Sequence, residues 1–374
     1  MENKKLLQTV AKKMKDRDPK QIKILMGFDG FVDQVLHVVD KRYDAEHFER
    51  VNYMEDYGKK ICKAAGLSLN VEMVPVQTKL GGNGPIMANS LARHGCKMNY
   101  IGSLGKENVH PVFHEFTENV HAISISDPGF TDAIEFLDGK IISGKLEALK
   151  EVSWETIVEK VGIKKLTELI EESDLIGFEN WTMLLNTTEI WKHIIREIVP
   201  NLKKQERKVL FIDLADPEKR MKEDILEALE CLKTFDDTFE TILGLNEKES
   251  YEIAELYGKS KEDFENVLEV AEFLKGQIQI SEIVIHPVKE ASGCSRKEKA
   301  SVQGPYCEKP KLTTGAGDNF NAGFILGRML GFNLEESLLM GTANSGFYVR
   351  EARSATYQEL QQFIENWSEN KLEA

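Results

Sequence analysis

Residues 311–323 have the sequence KLTTGAGDNFNAG, in which small residues stand directly before a predicted helix. Gly315, Ala316 and Gly317 have almost no side chain, so their backbone N–H groups can approach an anion closely. The positive end of the following helix, predicted near Asp318–Leu330, favours negative charge at the same place. The stretch therefore predicts a phosphate-binding loop at the start of a helix.

An aspartate inside this loop needs a reason, because a carboxylate beside a phosphate would repel it. Asp318 could accept a proton from a nucleophile, meet a metal ion, or simply cap the helix, since acids are favoured in the first turn.

Other glycine-loop motifs fit residues of this chain less well. A dinucleotide G-x-G-x-x-G needs glycine where Phe320 stands, and Gly258-Lys259-Ser260 lacks the first glycine of a Walker A loop because Ile253 occupies its place. A dinucleotide-dependent oxidoreductase is therefore disfavoured.

Outward from this loop, short apolar runs alternate with amphipathic helices over most of the chain. Buried strands are predicted at Ile22–Gly27, Lys97–Gly102, Leu175–Phe178, Val209–Asp213, Thr241–Leu245 and Ile283–His286. Helices are predicted at Thr188–Val199, Glu218–Lys233, Lys261–Lys275, Asp318–Leu330, Glu335–Val349 and Thr356–Trp367. This alternation favours an α/β fold, with a mostly parallel sheet covered by helices on both faces.

Residues 33–80 and 105–145 are less regular and mix short extended segments with one predicted helix, Phe48–Ala65. Thr131–Leu137 partly alternates between apolar and polar residues, and Asp138-Gly139 after it is a hairpin signal. We predict that these two stretches form a small β-containing lid inserted in a single domain of residues 1–374.

The composition restricts the kinds of partner and the cellular compartment that we expect for the protein. The 62 acidic and 48 basic side chains give a net charge of -14, which repels nucleic acid and anionic lipid. No apolar run has the length of a signal peptide or a membrane span. The 5 cysteines lack a C-x-x-C spacing. We expect a cytoplasmic protein with no nucleic-acid and no membrane partner.

Three motifs carry a resemblance to a known family. Thr313–Gly323 resembles the C-terminal signature of the ribokinase/PfkB carbohydrate kinase family. Gly81–Gly95, followed by Ile101–Gly105, is similar to its N-terminal signature, and Asn246-Glu247-Lys248-Glu249 to its N-x-x-E pattern. The resemblance implies a ribokinase-like three-layer α/β/α fold and a kinase that uses ATP and Mg²⁺ to phosphorylate a sugar or sugar-like alcohol.

The resemblance also implies roles for individual residues. Asp318 would be the catalytic base, and the N–H groups of Gly315, Ala316 and Gly317 would form the anion hole. The implied sugar-binding residues are Asp33, Asp29, Gly82 and Asn83. The implied nucleotide-binding residues are Asn246, Asn344 and Thr314. Glu249 would hold Mg²⁺ through water.

Three positions depart from the family pattern. Ile86 stands where the family usually has an asparagine, Leu312 where it has an acid, and His286-Pro287 where it often has a glycine-containing nucleotide loop. The acceptor therefore stays open among hexoses, pentoses, sugar acids, sugar phosphates and nucleosides. The alternatives are a nucleoside kinase of the same fold and a non-catalytic sugar or nucleotide sensor. Exposed strand edges in the lid could pair between two chains, which would make a homodimer.

Overall fold

Two β-sheets and the helices around them make up residues 2–203 and 207–372, the part of the chain that the computed structural model describes. In chain order the strands are β1 (Lys23–Phe28), β2 (Phe31–Arg42), β3 (Phe48–Arg50), β4 (Met73–Gly81), β5 (Lys97–Gly102), β6 (His121–Ser124), β7 (Gly129–Glu135), β8 (Lys140–Lys145), β9 (Leu175–Phe178), β10 (Val209–Asp213), β11 (Glu240–Leu245), β12 (Glu282–Ile285), β13 (Glu290–Ser295) and β14 (Lys299–Gln303). The α-helices are α1 (Glu2–Lys15), α2 (Met54–Lys63), α3 (Asn83–Arg93), α4 (His114–Asn119), α5 (Trp154–Lys160), α6 (Ile163–Glu172), α7 (Thr187–His193), α8 (Lys222–Phe235), α9 (Glu247–Leu256), α10 (Val267–Ile278), α11 (Ala316–Met329), α12 (Leu334–Glu351) and α13 (Tyr357–Ser368).

The larger sheet has the strand order β14-β13-β12-β11-β10-β9-β1-β5-β6. Every neighbouring pair from β12 to β6 is parallel, and β13 and β14 add antiparallel strands at one edge. Parallel neighbours require crossover connections, which helices usually supply. The prediction of a mostly parallel central sheet is confirmed.

Helices cover both faces of this sheet. Successive residues of a strand point to opposite sides, so one strand can feed two cores. In β1, Ile24 and Met26 join a core with residues of α1, α3, α11, α12 and α13, whereas Leu25 joins a second core with residues of α6, α8 and α10. The predicted three-layer α/β/α arrangement is confirmed.

The smaller sheet, which we call the lid sheet, consists of β2, β3, β4, β7 and β8. Strand β2 is antiparallel to β3 and β4 and parallel to β7, and β7 pairs with β8 across the turn at Asp138 and Gly139. Helix α2 shares a small apolar core with this sheet. The predicted small β-containing appendage is therefore present.

The lid sheet contains fewer residues than the sequence predicts. The second predicted segment covers residues 105–145, but only residues 129–145 contribute strands to the lid sheet, because β6 pairs with β5 at the edge of the larger sheet. In the first segment, Phe48–Arg50 is predicted as the start of a helix and is strand β3 instead, since it pairs with β2.

Several predicted helix boundaries also differ from the structure, among them Glu218–Lys233, which is α8 and begins at Lys222. Helix α10 begins at Val267, not Lys261, because Asn266 caps it and accepts a hydrogen bond from the backbone N–H of Glu269 at 3.1 Å. The predicted helix Thr188–Val199 is α7 followed by a π-helical turn. Within the described residues, no helix is both long enough and apolar enough to cross a bilayer.

The parallel strands bring polar residues to one edge of the larger sheet. Asp29 follows β1, Glu179 follows β9, Asp213 ends β10, Asn246 follows β11 and His286 follows β12. Ligands of such sheets bind beyond the carboxyl ends of the strands. This edge is where the site must be sought.

Candidate active site

Asp318 lies in the first turn of α11, directly after the glycine loop. Gly315 has φ 93°, a left-handed conformation that favours glycine, and it precedes the first residue of the helix. The Asp318 side chain is only 6% exposed, and its Oδ1 accepts a hydrogen bond from Nδ2 of Asn83 at 2.9 Å. The loop therefore holds a carboxyl group at a fixed place beside the start of α3.

The surroundings of Asp318 favour its neutral form. Burial, followed by the nearby carboxylates of Asp29, Glu249 and Asp33, raises the pKa of Asp318 from 3.8 to about 8, against the opposing hydrogen bond from Asn83. A carboxyl group with such a pKa can accept a proton once a nearby cation, alone or bound to phosphate, lowers that pKa and restores the negative charge.

Asp33 and the start of α3 face Asp318 across a cleft of about 640 Å³ between the lid sheet and the loop. Asp33 lies near the start of β2, level with Lys79 of β4 on one side and with Thr131 of β7 on the other. Burial raises the pKa of Asp33, while Thr131, Lys79 and Lys140 oppose that rise. Of the predicted residues, the cleft brings together Asp33, Gly82, Asn83, Gly315, Thr314 and Asp318.

Two glycines keep this cleft open near Asp33 and Asn83. A Cβ at Gly81 would lie 2.3 Å from the carboxyl group of Asp33, so only glycine lets that side chain lie over β4. Gly82 has φ 95° and caps the start of α3, which places Asn83 against residues 312–318, the segment that we call the catalytic loop for its predicted role. The predicted substrate role of these positions stays a prediction, and their placement agrees with it.

Asp29 lies behind the residues that line the cleft, and its predicted sugar contact stays a prediction. Its side chain is fully buried, Oδ1 accepts hydrogen bonds from Gly84 N and Tyr100 Oη at 3.1 Å each, and Oδ2 accepts one from Asn180 Nδ2 at 2.8 Å. Burial raises the pKa of Asp29 to about 6 against these hydrogen bonds. With both oxygens engaged by protein groups, Asp29 fixes the start of α3.

A second cleft, of about 380 Å³, lies on the other side of the catalytic loop. Its lining is mostly apolar and includes residues from the loops after β11 and β12, the loop before α11, and helices α11 and α12, among them Asn246, His286, Pro287, Tyr306, Thr313, Ala316, Gly317, Phe320, Ser345 and Gly346. The ring centroids of His286 and Phe320 are 4.7 Å apart, and the ring planes are tilted by 34°. A flat apolar slot beside glycines suits a nucleotide base and its phosphates.

The catalytic loop thus divides two clefts. Gly315 and Asp318 line the first, whereas Ala316 and Gly317 line the second. Of the predicted anion-hole donors, Ala316 N already donates to the Thr313 oxygen at 3.1 Å, so Gly317 offers the less committed N–H at the helix start.

Thr314 and Asn344 do not line the second cleft, and their predicted nucleotide contacts stay predictions. Thr314 lines the first cleft, and its neighbour Thr313 lines the second. Asn344 is fully buried, with Nδ2 donating to the Asn319 oxygen at 2.7 Å and Oδ1 within 3.1 Å of His94 Nε2. These hydrogen bonds tie α12 to α11 and α3.

Asn246 and Glu249 form a capping box at the start of α9. Asn246 Oδ1 accepts from Glu249 N at 2.9 Å, and the two Glu249 oxygens accept from Asn246 N at 2.9 Å and Asp216 N at 2.8 Å. The same N-x-x-E pattern and the same capping box recur at Asn333-Leu334-Glu335-Glu336. Asn333 lines a different cleft, together with Glu240 at the start of β11 and Ser281 directly before β12. The two capping boxes differ in position, because of the two asparagines only Asn246 lines the second cleft.

Glu179 is an acid that the sequence reading missed. It is 1% exposed, and neither of its carboxylate oxygens has a hydrogen-bond partner. Burial, then the charges of Asp213, Asp318 and Asp29, raise its pKa well above 4.5. Its position directly after β9, at the carboxyl edge of a parallel sheet, was the available signal.

The fit of Mg²⁺ can be tested on these acids. Among residues 2–203 and 207–372, no group of three or more His, Cys, Asp or Glu side chains is arranged to hold a metal ion. Mg²⁺ in kinases is held largely by phosphates and water, with one or two carboxylates. Glu179, with unpartnered oxygens, suits that requirement, whereas Glu249 has both oxygens in its cap and could act only through water.

Comparison with known proteins agrees with this geometry. Residues 5–367 match the family model of prokaryotic ketohexokinases. A ketohexokinase of Haloferax volcanii is 29% identical over 347 residues, which cover 92% of this chain and 91% of that protein.

Solved structures of several kinases share the fold. A ribokinase of Thermotoga maritima superposes with a TM-score of 0.60 at 19% identity, over 92% of this chain and 99% of the other. An Arabidopsis thaliana ribokinase complexed with ribose and ATP gives 0.62 at 15% identity, over 93% and 99%. An adenosine kinase of Sinorhizobium meliloti gives 0.63 at 17% identity, over 93% and 99%. The chain belongs to the prokaryotic ketohexokinase family and is a carbohydrate kinase of the ribokinase-like fold.

Proposed function

We propose that the protein transfers the γ-phosphoryl group of ATP to a hydroxyl group of a ketohexose. The observation that carries this proposal is the catalytic loop, which has the carboxyl group of Asp318 at one cleft and Gly317 at the other. The acceptor class is taken from the ketohexokinase of Haloferax volcanii and the matching family model. ATP as donor has support from the ribokinase complexed with ribose and ATP.

In this mechanism the sugar lies between the lid sheet and Asp318. Asp33 accepts hydrogen bonds from sugar hydroxyls, because a carboxylate offers two oxygens to neighbouring donors. The attacking hydroxyl oxygen bonds to the γ-phosphorus, its proton passes to Asp318, and the bond from the γ-phosphorus to the bridging oxygen breaks. ADP leaves with that electron pair. Asn83 holds Asp318 in position throughout.

Groups on the side of the second cleft stabilise the negative charge of the phosphoryl group during transfer. Gly317 N–H and the positive end of α11 face the phosphates, where such donors stabilise the spread charge of the transition state. Mg²⁺, when bound with ATP, would neutralise phosphate charge, and Glu179 with the water-linked Glu249 would hold it. The lid sheet excludes water, which would otherwise compete as acceptor.

A coupled ADP-release assay with ATP, Mg²⁺ and a panel of ketohexoses, aldohexoses, pentoses and nucleosides tests the proposal. We expect turnover with a ketohexose and a loss of about 10²–10⁴-fold in kcat for Asp318→Asn. The control Asp16→Asn changes an exposed acid after α1 and should stay within about twofold of the wild type. Turnover with nucleosides alone would refute the acceptor class, and sugar binding without ADP release would indicate a sensor and refute the kinase.

A further inference from the structure

Lys140 connects the lid sheet to the catalytic loop. It is the first residue of β8, directly after the turn at Asp138 and Gly139, and it lies level with Glu135 of β7. Its Nζ donates a hydrogen bond to Oγ1 of Thr314 at 2.5 Å. The contact joins residues 174 positions apart and brings an ammonium group next to Gly315.

The charge of this ammonium group acts inside the acceptor cleft. Lys140 lines that cleft with Asp33 and Asp318. Its positive charge is one of the influences that oppose the rise in the pKa of Asp33, and it contributes to the lowered pKa of Lys79, which burial chiefly causes. Lys140 is therefore electrostatically part of the site although its strand belongs to the lid sheet.

The catalytic loop needs a positive charge that it does not itself supply. Leu312–Asp318 contains no basic residue. The buried side chains that raise the pKa of Asp318 are all acids, and the cations that line the acceptor cleft among the described residues are Lys79, Lys140 and Lys311. Lys79 lies beside Asp33, in register on the neighbouring strand. Only Lys140 among the three has a side-chain hydrogen bond to residues 313–318 in the described part of the chain.

We propose that Lys140 is a catalytic residue whose ammonium group contacts the transferring phosphoryl group. This inference rests on the proposed function. In the protein without ligands Thr314 holds the ammonium group beside the loop, and with ATP bound a γ-phosphate oxygen takes the place of the threonine hydroxyl. A lysine suits this task because its compact charge and three donors can meet oxygens that carry spreading negative charge.

The location of Lys140 means that the lid sheet contributes a charged group to the site as well as covering it. The lid sheet lies over the acceptor cleft and brings the ammonium group to the loop. In this role the lid sheet supplies a catalytic group in addition to excluding water, which would otherwise compete as acceptor.

Lys140→Met tests the role, with Lys145→Met as the matched control. Lys145 lies on the same strand and forms an ion pair with Asp132 at 2.9 Å. Both variants keep an unbranched side chain and remove one charge. We expect Lys140→Met to lower kcat about 10²–10³-fold, the size seen when one transition-state donor is removed. The KM for sugar should stay within about threefold, Lys140→Arg should recover part of the rate, and Lys145→Met should resemble the wild type.

A second measurement separates catalysis from lid stability. Binding of ADP with aluminium fluoride and sugar should weaken at least about tenfold in Lys140→Met, while binding of ADP alone stays unchanged. Equal losses of kcat in both variants, or unchanged kcat in Lys140→Met, would overturn the role of Lys140 while leaving an active wild type and the proposed function intact. A wild type inactive on every sugar would overturn the proposed function, and this role with it.

Discussion

The buried carboxyl group of Asp318 should cost the protein stability, and Asp318→Asn should recover it. The amide has nearly the same shape as the carboxyl group, and its oxygen can still accept the hydrogen bond from Asn83 Nδ2. It carries no charge at any pH of interest. The substitution therefore removes the titration of this group and leaves the packing around it in place.

The sign and size of the effect follow from the pKa of Asp318, which is raised from 3.8 to about 8 in the folded protein. Between these two values the unfolded chain has lost the proton and the folded protein has kept it. Each rise of one pH unit in that window then lowers the free energy of unfolding of the wild type by about 1.4 kcal/mol. Asp318→Asn lacks this term, so its advantage over the wild type should widen by up to about 3 kcal/mol from pH 5.5 to pH 7.5.

Urea unfolding at pH 5.5, 6.5 and 7.5, followed by tryptophan fluorescence, measures this difference. Asp16→Asn serves as the control, because it removes an exposed carboxyl group, and its difference from the wild type should not change with pH. A constant difference between Asp318→Asn and the wild type over this range would refute the reasoning, and so would a variant that is less stable at pH 7.5.

Three further substitutions test other parts of the site. Gly315→Ala puts a Cβ at φ 93°, 2.7 Å from Tyr348 Oη, and should cost about 1–2 kcal/mol in urea unfolding and at least about tenfold in kcat, whereas a fully active variant would contradict a loop of fixed geometry. Asn344→Ala leaves His94 without its partner and should cost about 1–3 kcal/mol, but the KM for ATP should stay within about twofold; a large rise in that KM would support Asn344 as a nucleotide contact. Glu179→Gln should raise the free energy of unfolding at pH 8 and also the Mg²⁺ concentration needed for half-maximal rate, and an unchanged Mg²⁺ requirement would remove Glu179 from the metal site.

The sequence predicted the parts of the fold and site that depend on local pattern. Strands β5, β9 and β10 have the predicted bounds, because short apolar runs between polar residues mark buried parallel strands. The glycine loop was recognisable because its residues are consecutive and stand before a helix. The contact of this loop with Asn83 was not predicted, and the structure shows it as a hydrogen bond of 2.9 Å to Asp318.

The sequence could not show which polar side chains remain free to meet a ligand. Asp29 is engaged by Gly84, Tyr100 and Asn180, which lie 55, 71 and 151 positions away in the chain. Asn344 is engaged in the same way by distant residues. A motif fixes the type and spacing of its residues, but the partners that occupy their hydrogen-bonding atoms come from elements whose approach only the folded structure reveals.

The acids around Asp318 explain why this site depends on cations brought from elsewhere. Parallel strands place Asp29, Glu179 and Asp213 at one edge, where burial raises the pKa of each above its usual value. Burial, and then the charges of the neighbouring acids, keep Asp318 protonated at neutral pH and unable to accept a proton. The ammonium group of Lys140 already lies beside the loop and opposes the rise in the pKa of Asp33. In the mechanism proposed here, Mg²⁺ held with ATP would supply the further positive charge that lowers the pKa of Asp318, so the carboxyl group becomes a base when the donor is in place.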